Sequence, residues 1–107
     1  MEPNSLITHD EAVRRYALDL VATGYQVNAR VAGWFDEPDF VNGYKPDIIA
    51  TKNNQIIIIE IKKGAMDWPK ISALEQFVKD HHSFEIRVFA PDEILSASGR
   101  HPVHGSE

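Results

Sequence analysis

The spacing of apolar residues changes period several times along the chain, and each change marks an element. Val13, Tyr16, Ala17, Leu20 and Val21 recur at helical spacing and predict one apolar face of a helix. Thr8-His9-Asp10-Glu11 in front of Ala12 has the form of a capping box, with Thr8 as N-cap and Glu11 reaching back to its main-chain N–H. Gly24 stands where a C′ residue ends such a helix. From Tyr25 to Trp34 the period falls to two: Val27, Ala29, Val31 and Gly33 share one face, Gln26, Asn28, Arg30 and Trp34 the other, which predicts a first strand. Phe35 to Tyr44 carries Asp36, Glu37, Pro38, Asp39, Asn42 and Gly43, turn chemistry that predicts a mobile loop.

Pro46 to Lys62 then gives two strands and one turn. Asn53-Asn54 is the turn, since Asn tolerates the positive φ of a tight hairpin. Ile56 to Ile59 is apolar on both faces, as expected of a central strand covered on both sides. Asp67 caps a second helix with Pro69 in its first turn and Ile71, Leu74, Phe77 and Val78 as its apolar face. Phe84, Ile86, Val88 and Ala90 alternate inward along a fourth strand that Pro91 ends. After a turn at Asp92 to Leu95, residues 96–107 are rich in Ser, Gly, Pro and His and are expected to be disordered, leaving one domain over residues 1–95. The order helix, three strands, helix, strand predicts an α/β fold, a small mixed sheet flanked by helices.

The hairpin permits a derivation. With the turn centred on Asn53-Asn54, residues paired across it have numbers summing to 107, so Asp47 faces Glu60; a three-residue loop would instead send Asp47 to the other face. Carboxylates directly opposite each other are destabilising unless something neutralises them. Period two puts Lys62 on the face of Glu60, while Ile61 points into the opposite layer and offers its main-chain carbonyl as a further oxygen. Oxygen ligands with no Cys and no adjacent His suit Mg²⁺, Mn²⁺ or Ca²⁺ rather than zinc. A lysine beside such a cation positions a water or neutralises charge growing on phosphate oxygens. The chemistry this supports is metal-assisted hydrolysis of a phosphodiester.

Composition adds limits. The chain has 107 residues, 43% hydrophobic and 25% charged, enough for a modest core that a partner subunit would enlarge. The absence of cysteine excludes disulfides and thiolate metal sites. No basic stretch followed by an apolar run opens the chain and no apolar run is long enough for a membrane span, so a cytoplasmic protein with no membrane partner is expected. The net charge of −5 opposes nucleic-acid binding, yet residues 43–70 carry 5 Lys+Arg against 3 Asp+Glu and form the one net-positive third, around the hairpin.

Pro46-Asp47, the thirteen residues from Asp47 to Glu60, and Glu60-Ile61-Lys62 resemble the signature of the PD-(D/E)xK nuclease superfamily of restriction-endonuclease-like fold. Within it the chain looks most like the small Holliday-junction-resolvase-like or VRR/RecB-like nucleases. The resemblance covers roughly residues 8 to 90 and implies an αβββαβ core. It implies a Mg²⁺- or Mn²⁺-dependent DNA endonuclease, with no nucleotide cofactor, acting on branched or structured DNA as a homodimer of the junction-resolving type. Asp47, Glu60 and Lys62 would be catalytic, Asp47, Glu60 and the Ile61 carbonyl metal-binding, and Lys62 would position the attacking water. Many members add an acid from the first helix, for which Glu11 is the candidate with Asp10 behind it, although the capping box accounts for Glu11 without catalysis. Gln76 resembles the second-helix glutamine of RecB-like and VRR-type members, with an exposed helix Gln as the alternative. Lys45, Lys63 and Lys70 are candidate phosphate contacts, and Trp68 a stacking or packing residue. The other class of function open to the sequence is a nucleic-acid-binding or regulatory module that keeps the fold without cleaving.

Overall fold

The computed structural model describes residues 8–62 and 64–91, so Lys63, the expected turn at Asp92 to Leu95 and the expected disorder of residues 96–107 lie outside the described residues. Helix α1 (His9–Ala22), strands β1 (Gln26–Ala29), β2 (Ile48–Lys52) and β3 (Gln55–Ile61), helix α2 (Trp68–Asp80) and strand β4 (Phe84–Phe89) follow in the predicted order. The sheet order is β1-β2-β3-β4, antiparallel except for the parallel pair β3/β4, which α2 connects. Among the described residues no helix is long and apolar enough to cross a membrane.

Local chemistry explains the element ends. Thr8 accepts the Glu11 main-chain N–H at 3.1 Å and opens α1. Helix α1 closes in a Schellman arrangement: Gly24, at φ 96°, donates to the Val21 carbonyl and Tyr25 to the Leu20 carbonyl. Asn53 and Asn54 at φ 53° and 69° form the two-residue turn. Asp67 caps α2 by accepting from the Lys70 N–H.

Two layers of side chains sandwich the sheet. Ala29, Ile48, Ala50, Ile57, Ile59 and Ile61 pack under α1 with Ala12, Val13, Ala17 and Leu20. Ile58 and Leu74 form the core of the other layer, with Val41 and the half-buried Ile49, Phe77, Phe84 and Ile86. This is why the isoleucine run has no polar face: alternate residues serve opposite helices, each stabilising by about 1.5–3 kcal/mol when fully buried.

Three expectations are corrected. The first strand is shorter than Tyr25 to Trp34, because β2 begins only at Ile48 and the paired register ends with Ala29, and the chain turns at Gly33 (φ 84°), where Trp34 donates to the Val31 carbonyl. Val21 is 47% exposed rather than on the buried stripe, which Ala12 joins instead; it lies about 100° round the helix from Leu20. In β4 both faces pack, since Phe89 turns to Tyr16 on the α1 side, ring centroids 5.2 Å apart. The segment from Phe35 to Tyr44 is a loop as expected, tied to the α2 layer by buried Val41 and by the Asn42 amide donating to the Ala73 carbonyl at 2.8 Å.

Candidate functional site

The β2/β3 register is Ile48 with Ile59 through Lys52 with Gln55, each pair summing to 107. Continued by one residue, it brings Asp47 and Glu60 together as derived, and both are buried, at 3% and 7% exposure. Each carboxylate is held by the other strand's main chain. The Asp47 N–H donates to Glu60 Oε2 at 2.8 Å and the Ile61 N–H to Asp47 Oδ2 at 2.9 Å. The Arg30 N–H donates to the Asp47 carbonyl at 2.9 Å and fixes the strand end from the β1 side.

A cleft of about 320 Å³ opens over this pair, lined among others by His9, Arg30, Lys62, Asp67 and Lys70. It lies at the carboxyl end of the parallel β3/β4 pair, where the first turns of α1 and α2 both reach it. Helix N-termini carry partial positive charge, which favours carboxylates and an incoming phosphate alike.

Charges in the cleft are unevenly matched. Glu60 Oε1 pairs with the Lys70 ammonium at 3.0 Å. Burial, and next the charge of Asp47, hold the Glu60 carboxyl above the usual carboxylate range against the opposing pull of Lys70 and the Asp47 N–H. The folded state therefore binds the Glu60 proton more tightly than the unfolded chain. That contribution to stability is full below the ordinary Glu value and is lost as pH rises through the raised one. Thermal unfolding of the cation-free protein and of Glu60→Gln, from about pH 4 to about pH 8, is expected to show the wild type losing ground to the variant as pH rises. A wild type that gains on the variant as pH rises would contradict the assigned direction.

The donor set suits a hard divalent cation. Two carboxylates are adjacent, and the Ile61 main chain stands beside them, its N–H donating to Asp47 Oδ2. Among the described residues no three His, Asp or Glu side chains form a cage by themselves; Mg²⁺ characteristically takes one or two carboxylates and keeps waters.

The other candidates separate clearly. Lys62 and Lys70 line the cleft with Asp47 and Glu60. Glu11 does not: its carboxylate is occupied by Arg14 and by Arg15 at 3.0 Å, which hold its pKa below the usual range, in place of the capping-box contact expected of its side chain. Asp10 reaches the cleft but is exposed. Lys45 pairs with Glu37 at 2.5 Å away from the cleft, and Gln76 lies on the exposed face of α2, donating to Asp80 at 3.3 Å. Trp68 is 62% exposed. His81, which follows α2, donates from Nδ1 to the Phe77 carbonyl in the last turn of that helix at 2.7 Å.

Two residues were missed by sequence reasoning. His9 Nε2 lies 3.1 Å from Asp47 Oδ2, and Arg30 lines the cleft mouth. The signal for His9 was present: it precedes Val13 by four residues and so continues the buried stripe of α1 one turn toward the strand ends. Arg30 was assigned only to a strand face, and its position follows from β1 ending beside Asp47.

A family model described as AHJR-like (REase_AHJR-like) matches residues 4–98 of the chain. No curated protein matches it.

Proposed function

We propose, from the premise that the chain belongs to the AHJR-like family of restriction-endonuclease-like proteins, that this nuclease is a divalent-metal-dependent endonuclease hydrolysing DNA phosphodiesters, with branched or structured DNA as its substrate. Its four-stranded mixed sheet and two helices are those of a restriction-endonuclease-like fold. The observation that carries the proposal is the buried Asp47 and Glu60 pair, locked in register by reciprocal main-chain bonds beside Lys62. A structural salt bridge needs no second buried carboxylate beside the first, and like charges so placed favour a cation.

In this proposal Asp47, Glu60 and the Ile61 carbonyl hold Mg²⁺ or Mn²⁺, completing a PD-(D/E)xK centre. The bound ion supplies a polarised phosphate oxygen and a more acidic water. Lys62 orients the attacking water and neutralises charge developing on the phosphate. His9 fixes the orientation of the Asp47 carboxylate through Oδ2. Arg30 at the cleft mouth contacts the strand's backbone, as a guanidinium suits a phosphate. A cytoplasmic homodimer, setting two such clefts on one branched substrate, belongs to the same proposal.

The test is a cleavage panel: four-way junction, single-stranded and duplex DNA, each with Mg²⁺, Mn²⁺ or EDTA. Nicking that requires the cation and is fastest on the junction is expected. A second reading, a module that binds nucleic acid without cutting, is favoured by the lack of a three-residue cage among the described residues. Binding of DNA with no cleavage of any form under either cation would replace the first reading with the second.

A further inference from the structure

The two oxygens of Glu60 have different neighbours. Oε2 is committed to the Asp47 N–H at 2.8 Å, so Oε1 is the oxygen left for a cation, and at 3.0 Å it is the Lys70 ammonium that stands there. Both side chains are largely withdrawn from water, 14% exposed for Lys70 and 9% for Glu60. A pair this dry is no ordinary surface salt bridge, because neither charge is well solvated without the other. Lys70 is the internal counter-ion of the carboxylate pair. It sits in the first turn of α2, and its flexible stem ends on the wall of the cleft.

An ammonium and a divalent cation on one carboxylate oxygen repel strongly at this depth, so Lys70 and a cation compete for Oε1. Once displaced, the ammonium remains in a cleft whose other acidic side chains are Asp47, which shares the cation in this reading, and the exposed Asp10 and Asp67, the latter the cap of its own helix. A phosphate entering the cleft is the strongest anion available there.

Resting on the metal-dependent reading of the site, we infer that Lys70 is a counter-ion switch: it neutralises Glu60 until a divalent cation takes Oε1, and then turns to a DNA phosphate. Cation uptake and DNA binding are thereby coupled, and by linkage each strengthens the other. Lys70 is a positioning residue in this scheme, acting through Glu60 and the substrate backbone.

The test uses the intact protein and two variants, Lys70→Gln and Lys70→Arg, with thermal unfolding in EDTA as the check that each folds. Mn²⁺ affinity without DNA is read by EPR. DNA affinity is read by fluorescence anisotropy in EDTA and in Ca²⁺, chosen as a probe that occupies oxygen sites. Lys70→Gln is expected to bind Mn²⁺ about fivefold or more tightly than wild type, because its competitor is gone. It should match the wild type on DNA in EDTA and fall behind it by about fivefold or more in Ca²⁺. The magnitude of the salt slope should drop by about 0.9 in Ca²⁺ alone, the mark of one phosphate contact made only then. Lys70→Arg should retain the coupling.

Equal loss of DNA affinity in EDTA and Ca²⁺ would make Lys70 a constant phosphate contact and overturn the switch. Unchanged or weaker Mn²⁺ binding by Lys70→Gln would overturn its role as competitor. Wild-type protein that takes up no Mn²⁺ at all removes the metal centre itself, and this inference falls with it. Normal Mn²⁺ uptake with flat Lys70 responses removes the switch and leaves the metal centre standing.

Discussion

Glu60→Ala is expected to lower cation-dependent cleavage by about a thousandfold or more, the scale of losing a group that stabilises charge in a transition state. The same substitution should remove the rise in melting temperature that Mn²⁺ gives the wild type, since binding to the folded state alone is what produces that rise. Folding should survive, because the alanine removes one of two repelling carboxylates and the isoleucines on either side keep the strand in place. The main loss is a partner for the Asp47 N–H and for Lys70. Asp47→Ala should behave alike in both readouts. A variant that still cuts at a tenth of the wild-type rate or better would remove Glu60 from the chemistry.

Lys62→Met is expected to separate binding from catalysis. The methionine keeps the apolar stem and removes the ammonium, and among the described residues no acidic side chain depends on Lys62 for an ion pair, so stability should change little. Its main-chain N–H still donates to the Phe89 carbonyl at 2.7 Å and keeps the strand end in place. Mn²⁺ affinity should be retained while single-turnover cleavage falls about 10² to 10⁴-fold, the range for a lost proton-transfer or water-positioning group. Loss of Mn²⁺ binding in step with activity would instead assign Lys62 to the architecture of the cation site.

Much of the site could be read in the sequence because it depends on a hairpin. The turn residues Asn53 and Asn54 declare themselves by their tolerance of positive φ, and once the turn is placed, period two fixes which residues face each other. Asp47, Glu60 and Lys62 therefore came from arithmetic. Positions that depend on how helices dock over the sheet were not accessible in that way. Glu11 has the right residue type on the right helix, and what it faces is decided by two arginines one turn along. Lys70 was one of several basic residues nearby, and only the packing of α2 tells it from Lys45, which spends its charge on Glu37. Strand length failed for a similar reason: β1 alternates for longer than it pairs, because pairing is a property of β2 as well.

The hairpin also bears on how the protein folds. Asp47 and Glu60 are only 13 residues apart in the chain, whereas the contact of Phe89 with Tyr16 spans most of the domain. A hairpin closes in about 1–10 μs, ahead of contacts with large loop-closure entropy. The two carboxylates therefore meet while water still surrounds and screens them. Their repulsion grows to full strength only late, when α2 docks and brings the Lys70 ammonium with it. The acidic pair should weigh little on the rate of folding and more on the rate of unfolding, so that pH changes around the Glu60 transition should move chiefly the unfolding arm of a chevron plot.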